Sequence, residues 1–201
     1  MLKTLYQTLN DRFKVVSQTD GRSCQFVAVI ECILNQNARD AGAAAFPAMN
    51  LEIVQLCNTY NIGILQIPCP EINFLGFKRK RQKGQSIREA LDIPAGRKCC
   101  REISIDIADR IEEYLAQNYQ IISILAGNEQ SPGCAVHYVG DKLSSASGIL
   151  MHELHDELGR RSINVPFKGI RDNDPELFAK DIEWVRRLFF KSKNSFIKPN
   201  T

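Results

Sequence analysis

No apolar run in this chain is long enough to span a bilayer, and its N-terminus has no hydrophobic segment of the signal-peptide type. Both absences lead to the expectation of a cytoplasmic protein with no membrane partner. Charge of one sign is also scarce. The net charge is +3, from 26 basic and 23 acidic residues, too small a surplus to argue for nucleic acid. No internal repeat and no low-complexity segment is present, and 44% hydrophobic with 24% charged residues excludes disorder. Cysteine, by contrast, is plentiful. There are seven, an odd number that leaves any disulfide scheme incomplete. In a reduced compartment, clustered cysteines bind metal or do chemistry more often than they form bridges.

A chain of 201 residues can bury a sizeable core as one domain. Met1 to Gly21 is the least readable stretch. Leu2, Leu5, Leu9 and Phe13 follow helical spacing, and residues 1–24 are taken as an N-terminal extension. Three apolar runs then read as buried strands: Phe26 to Ile30, Gly63 to Ile67 and Ile121 to Ala126. Pro68 stops the second, since proline cannot donate to a sheet ladder. Between the strands, helical patterns cover Ala48–Tyr60 and Lys98–Asn118. Two more follow, at Ser145–Arg160 and from Asp174-Pro175 to about Phe190. The pair Asp174-Pro175 supplies a cap and a proline at the first helical position. Ile163 to Phe167 reads as an edge strand that tolerates Pro166. Asn73 to Gly96 reads as a long irregular loop carrying Lys78-Arg79-Lys80-Arg81, and a loop of that length is commonly functional or a lid. The lysine-rich end, 191–201, reads as a tail. Strands alternating with helices predict a three-layer, Rossmann-like α/β domain with a mostly parallel sheet.

Each of the three strands delivers a cysteine at or just past its carboxyl end: Cys32, Cys69 in Pro68-Cys69-Pro70-Glu71, and Cys134 in Ser131-Pro132-Gly133-Cys134. In open α/β sheets ligands bind at that edge, so the three cysteines form one expected site. Their spacing does not match structural zinc, which shows paired knuckles and a closed set of four ligands. Thiolates suit iron–sulfur clusters, normally held by four cysteines. With only three protein ligands, one iron would stay open to act as a Lewis acid. Zinc held by the same thiolates with water or His137 is the alternative. Cys24, Cys57, Cys99 and Cys100 read as buried or incidental thiols.

Together, Cys32-Ile33-Leu34-Asn35-Gln36-Asn37, Pro68-Cys69-Pro70-Glu71 and Ser131-Pro132-Gly133-Cys134 resemble motifs of the TudS (thiouracil desulfidase) family, most closely a TudS-related branch of desulfidases. The likeness runs from about Val27 to Phe189. It implies an oxygen-sensitive four-iron, four-sulfur (4Fe-4S) cluster held by Cys32, Cys69 and Cys134. The open iron would take the sulfur of a small thiocarbonyl substrate. The family's proposed catalytic pair, a glutamate and a serine, maps onto Glu71 and Ser131. Two positions depart from the branch: Glu31 stands where it usually has histidine, and Gly133 where it has serine.

A carboxylate beside a ligand could activate water, and Ser131 or the amides of Asn35, Gln36 and Asn37 could hold developing charge. Those amides could equally be turn formers bonding their own backbone. Arg39 and the basic run could select an anionic substrate if the long loop folds over the site. A non-enzymatic iron–sulfur redox or sulfur-handling protein, or a zinc-binding hydrolase, would use the same cysteines.

Overall fold

A computed structural model describes residues 21–195. The expected N-terminal helix and most of the C-terminal tail lie outside the described residues. The described chain forms a four-stranded parallel sheet covered by helices, as the alternation predicts. Its strands are β1 (Gln25–Ile30), β2 (Gly63–Ile67), β3 (Gln120–Ala126) and β6 (Phe167–Gly169), in the order β2-β1-β3-β6. Every residue of β1 is buried. Its unbroken run Phe26-Val27-Ala28-Val29-Ile30 is what a central strand covered on both faces requires. A short antiparallel hairpin, β4 (Tyr138–Val139) and β5 (Lys142–Leu143), stands apart from the main sheet.

Connections fix the layers. Helix α2 (Leu51–Tyr60) leads from β1 to β2, whereas α5 (Pro94–Ala116) leads back across β1 to β3. Right-handed crossovers running in opposite directions put these two helices on opposite faces. Helix α6 (Ile149–Arg160) joins β3 to β6 and packs on α5, and α7 (Pro175–Ser195) packs on α2. The apolar faces meet in one core that includes Ile30, Ile53, Ile107, Leu125, Leu154 and Phe189. The chain reverses direction across the sheet between β1 and β3. Such a switch point opens a crevice beyond the carboxyl ends of the strands.

Several expected boundaries move. The segment read as irregular, Asn73 to Gly96, begins inside a short helix α3 (Pro70–Leu75), contains a second, α4 (Ile87–Leu91), and ends within α5. A capping box starts α4, the Ser86 hydroxyl and Glu89 carboxylate each accepting from the other's backbone amide. Likewise the loop after β1 is wound into α1 (Glu31–Leu34) and a 3₁₀ turn at Gln36–Ala38. The edge strand β6 begins at Phe167 rather than Ile163, because proline has no amide to donate. Pro166 instead offers its carbonyl to the Ile124 amide at 2.9 Å and the Ser123 hydroxyl at 2.9 Å.

Asp181 on α7 fastens that helix to the end of β6. Its side chain is fully buried and accepts from the Arg171 amide and Nε, each at 2.9 Å, and from Lys168 Nζ at 2.7 Å. Burial alone would raise its pKa. The Arg171 and Lys168 bonds outweigh burial and hold it below the ordinary 3.8. A depressed carboxyl pKa stabilises the fold above that ordinary value, and the contribution disappears as pH falls through the folded one. Asp181→Asn is expected to cost on the order of 2 kcal/mol in urea unfolding at pH 7. That is less than the roughly 3–5 of a fully buried pair, because Lys168 and Arg171 keep 24% and 26% exposure. The difference between parent and variant should shrink below pH 4.

Candidate functional site

The carboxyl ends of β1, β2 and β3 bring Cys32, Cys69 and Cys134 to one cavity of about 240 Å³. Cys32 lies in α1, directly after β1. Cys69 is the N-cap of α3, with Pro70 at the first helical position, so the Pro68-Cys69-Pro70 step ends a strand and begins a helix. Glu31 ties the first two strand ends together by accepting the Cys69 amide at 2.9 Å. Cys134 sits in a tight turn. Its amide donates to Ser131 Oγ at 3.2 Å, and its carbonyl accepts the Gly127 amide at 3.0 Å.

Two glycines allow the close approach. A Cβ on Gly127 would lie 2.5 Å from Cys134 Sγ. One on Gly133 would lie 2.7 Å from Cγ of Pro70. The glycine at 133, a departure from the related branch, therefore lets the third strand's loop close on the second's. Gly127→Ala should push Cys134 off its position and cost about 1–3 kcal/mol by overpacking, measurable as a lowered urea midpoint.

The thiols are held unequally. Cys134 interacts with Cys32, which lowers the Cys32 pKa against the opposing effect of burial, with the Arg39 guanidinium helping. Cys134 is raised well above its ordinary value, first by that same interaction and then by burial. Burial pushes Cys69 up to about 11. Among the described residues no group of three or more histidine, cysteine, aspartate or glutamate side chains is arranged to hold a metal ion.

Glu71, in the first turn of α3, lines the same cavity and is buried. Burial raises its pKa, and the Arg79 guanidinium opposes that rise. Arg79 is the residue sequence reasoning missed as an individual. Three of the four residues in Lys78-Arg79-Lys80-Arg81 are exposed, but Arg79 is 2% exposed and enters the site through a left-handed backbone turn, φ 46°. Its Nε donates to Glu71 Oε2 at 3.4 Å, and its Nη atoms donate to the Phe77 carbonyl at 2.7 Å and to the Ala38 carbonyl. Nη2 also lies 3.9 Å from Cys69 Sγ. One arginine thus pins the long loop, the turn after β1 and the buried carboxylate together. Nothing in a run of four basic residues says which one turns inward.

Ser131 lines the cavity with its hydroxyl 3.0 Å from Cys134 Sγ, and Arg39 and Asn128 line it too. Asn35, Gln36 and Asn37 do not line it. Asn35 Oδ1 accepts from the Asn37 amide at 3.2 Å and its side chain at 3.0 Å. Gln36 spends its oxygen on the Ala45 amide at 2.9 Å and its nitrogen on the Cys32 carbonyl at 2.9 Å. These amides shape the turn, so the substrate-binding role expected of them is not what their placement offers. His137 also stays outside the cavity lining, its Nε2 bonded to the Glu129 carbonyl at 2.8 Å. Among the described residues no helix is long and apolar enough to cross a membrane.

No protein-family model matches the chain, and no solved structure matches it. Among curated proteins it is similar to the protein named Uncharacterized protein MJ0003 from Methanocaldococcus jannaschii. The two are 30% identical over 155 residues, which span 75% of this chain and 90% of that protein. With that identity over nearly the whole relative, the chain belongs to the family of MJ0003.

Proposed function

We propose that this protein is a TudS-like desulfidase that hydrolyses a small thiocarbonyl compound to the corresponding carbonyl and hydrogen sulfide. One observation carries the reading: three cysteines from three parallel strand ends share a small cavity with a buried glutamate. The donor set suits a 4Fe-4S cluster. It offers three sulfurs, with no fourth cysteine and no histidine in the cavity lining, and Gly127 keeps the space beside Cys134 Sγ clear. Cys32, Cys69 and Cys134 would hold it. When bound with three ligands, such a cluster supplies an open iron that acts as a Lewis acid toward sulfur.

The chain's own residues account for the rest. Arg79 occupies Oε2 of Glu71, so Oε1 is the oxygen that takes a proton from water. The water oxygen bonds to the thiocarbonyl carbon, the carbon–sulfur bond breaks, and sulfur leaves with two protons as hydrogen sulfide. No oxidant or reductant is consumed. Ser131 Oγ, next to Cys134, can donate to charge developing on the substrate. Arg39, on the wall beside Cys32, can orient a polar substituent. The cavity floor around Cys69, Glu71, Arg79 and Cys134 is buried, which strengthens the interactions made there.

The test is anaerobic incubation of iron-reconstituted protein with 2-thiouracil, following sulfide and uracil. Equal amounts of both are expected. Uracil without sulfide, or neither product from any thiolated pyrimidine, purine or nucleoside, would contradict the reading.

A further inference from the structure

We propose that Asp172 is a positioning residue that fixes the Arg39 guanidinium against the cavity wall beside Cys32. The fourth strand makes this possible. The other three strand ends deliver cysteines, whereas β6 delivers Asp172 just beyond Gly169, at the edge of the sheet. The carboxylate side chain has no exposed surface, and that of Arg39 is 5% exposed. Arg39 Nη2 donates to both carboxylate oxygens, at 2.9 and 2.7 Å, and Nη1 donates to the Ala43 carbonyl at 3.1 Å. Gln36 Nε2 at 3.4 Å and Asn50 Nδ2 at 3.5 Å complete the shell around Asp172 Oδ2. Every donor in this cluster comes from the segment between α1 and α2, so Asp172 is the anchor on which that segment closes.

A buried ion pair is a poor way to gain stability, because desolvating two charges offsets most of their attraction. Placed at a cavity wall it gains something else. An arginine side chain has large rotamer freedom, and a guanidinium gripped on both Nη atoms loses that freedom before any ligand arrives. Arg39 and Cys32 line the same cavity, so the placement of the guanidinium decides what the cavity offers beside that thiol. Sequence reading singles out Arg39 but has no way to pair it with a residue so distant in the chain.

The experiment has two arms. The first is guanidinium nitrogen resonance spectroscopy on the full-length, metal-free protein. In the parent, the Arg39 Nη signals should be resolved and slowly exchanging, as rotation about Cζ–Nη is blocked. In Asp172→Asn they should collapse to an averaged signal, while Arg171 stays unchanged. An averaged Arg39 signal in the parent itself would overturn the proposal whether or not the variant folds.

The second arm, which rests on the desulfidase reading, uses steady-state sulfide release from 2-thiouracil. Asp172→Asn should raise KM roughly tenfold, with kcat altered less than about threefold, as for a lost binding contact. In an Arg39→Ala background the same substitution should add nothing. An equal further loss in that background would mean that Asp172 acts through the fold rather than through Arg39. If the iron-loaded parent releases no sulfide, the reaction assignment fails while the resonance arm still decides the role of Asp172.

Discussion

Cys69→Ser is expected to lose bound iron and sulfide release together, with the fold retained. Cys69 caps α3 through its backbone position, and its side chain makes no cap hydrogen bond. Serine at this site preserves the Pro-X-Pro step and the amide that Glu31 accepts. What disappears is a sulfur donor, and iron–sulfur clusters are held by cysteine thiolates. Cys57→Ser is the matched control. Cys57 packs in α2 within the core and does not line the cavity, and burial pushes its pKa up to about 12. Loss of that thiol should leave the iron content and the turnover of the folded protein unchanged. The pair is read by iron and acid-labile sulfide per chain, alongside turnover of 2-thiouracil and a circular dichroism spectrum. If Cys57→Ser lost iron and Cys69→Ser kept it, the cavity would not be the site.

Glu71→Gln should lower desulfidation by roughly two to four decades, the range for a missing general base, while iron content stays at the parent level. Glutamine keeps the volume and an acceptor oxygen for Arg79, which also holds the Phe77 and Ala38 carbonyls. The loop anchored by Arg79 therefore has two other fastenings. A folded, iron-loaded Glu71→Gln protein with more than half the parent turnover would assign the proton transfer to another group. Arg79→Ala makes a useful contrast, because it should cost stability as well as turnover. It leaves Glu71 buried without its ionic partner, and breaking a buried pair costs about 3–5 kcal/mol.

Most of the frame was legible in the sequence because it rests on period and punctuation. The strands β1, β2 and β3 are short apolar runs, and their order with the intervening helices dictates a parallel sheet. Burial was misjudged for one of them: Gly63 to Ile67 reads as a buried strand, but β2 lies at the sheet edge and buries only Ile67, because an apolar run does not say which strand ends the sheet. The same reading put Cys32, Cys69, Cys134 and Glu71 at the carboxyl edge; these four line one cavity with Ser131, singled out by the family resemblance, and Arg39, expected only as a conditional substrate contact. Short elements escaped. The helix α3 has a cysteine at its N-cap, a residue that seldom announces a helix start, and α4 has only five residues, too few to show a helical period. The hairpin β4–β5 has only two residues per strand, too few to show alternation. Arg79 and Asp172 were hidden for another reason: each is defined by partners that only the fold brings near, such as Ala38 and Arg39. The asparagines were ambiguous for a different reason: side chains that suit ligand binding equally suit local turns, and Asn35 caps the turn at Gln36–Ala38.

The most direct test of the central claim is purification without oxygen followed by measurement of iron, acid-labile sulfide and zinc per chain. A brown protein with about four irons and four sulfides per chain, which bleaches in air, is expected. A colourless protein carrying one zinc per chain and no iron would contradict it.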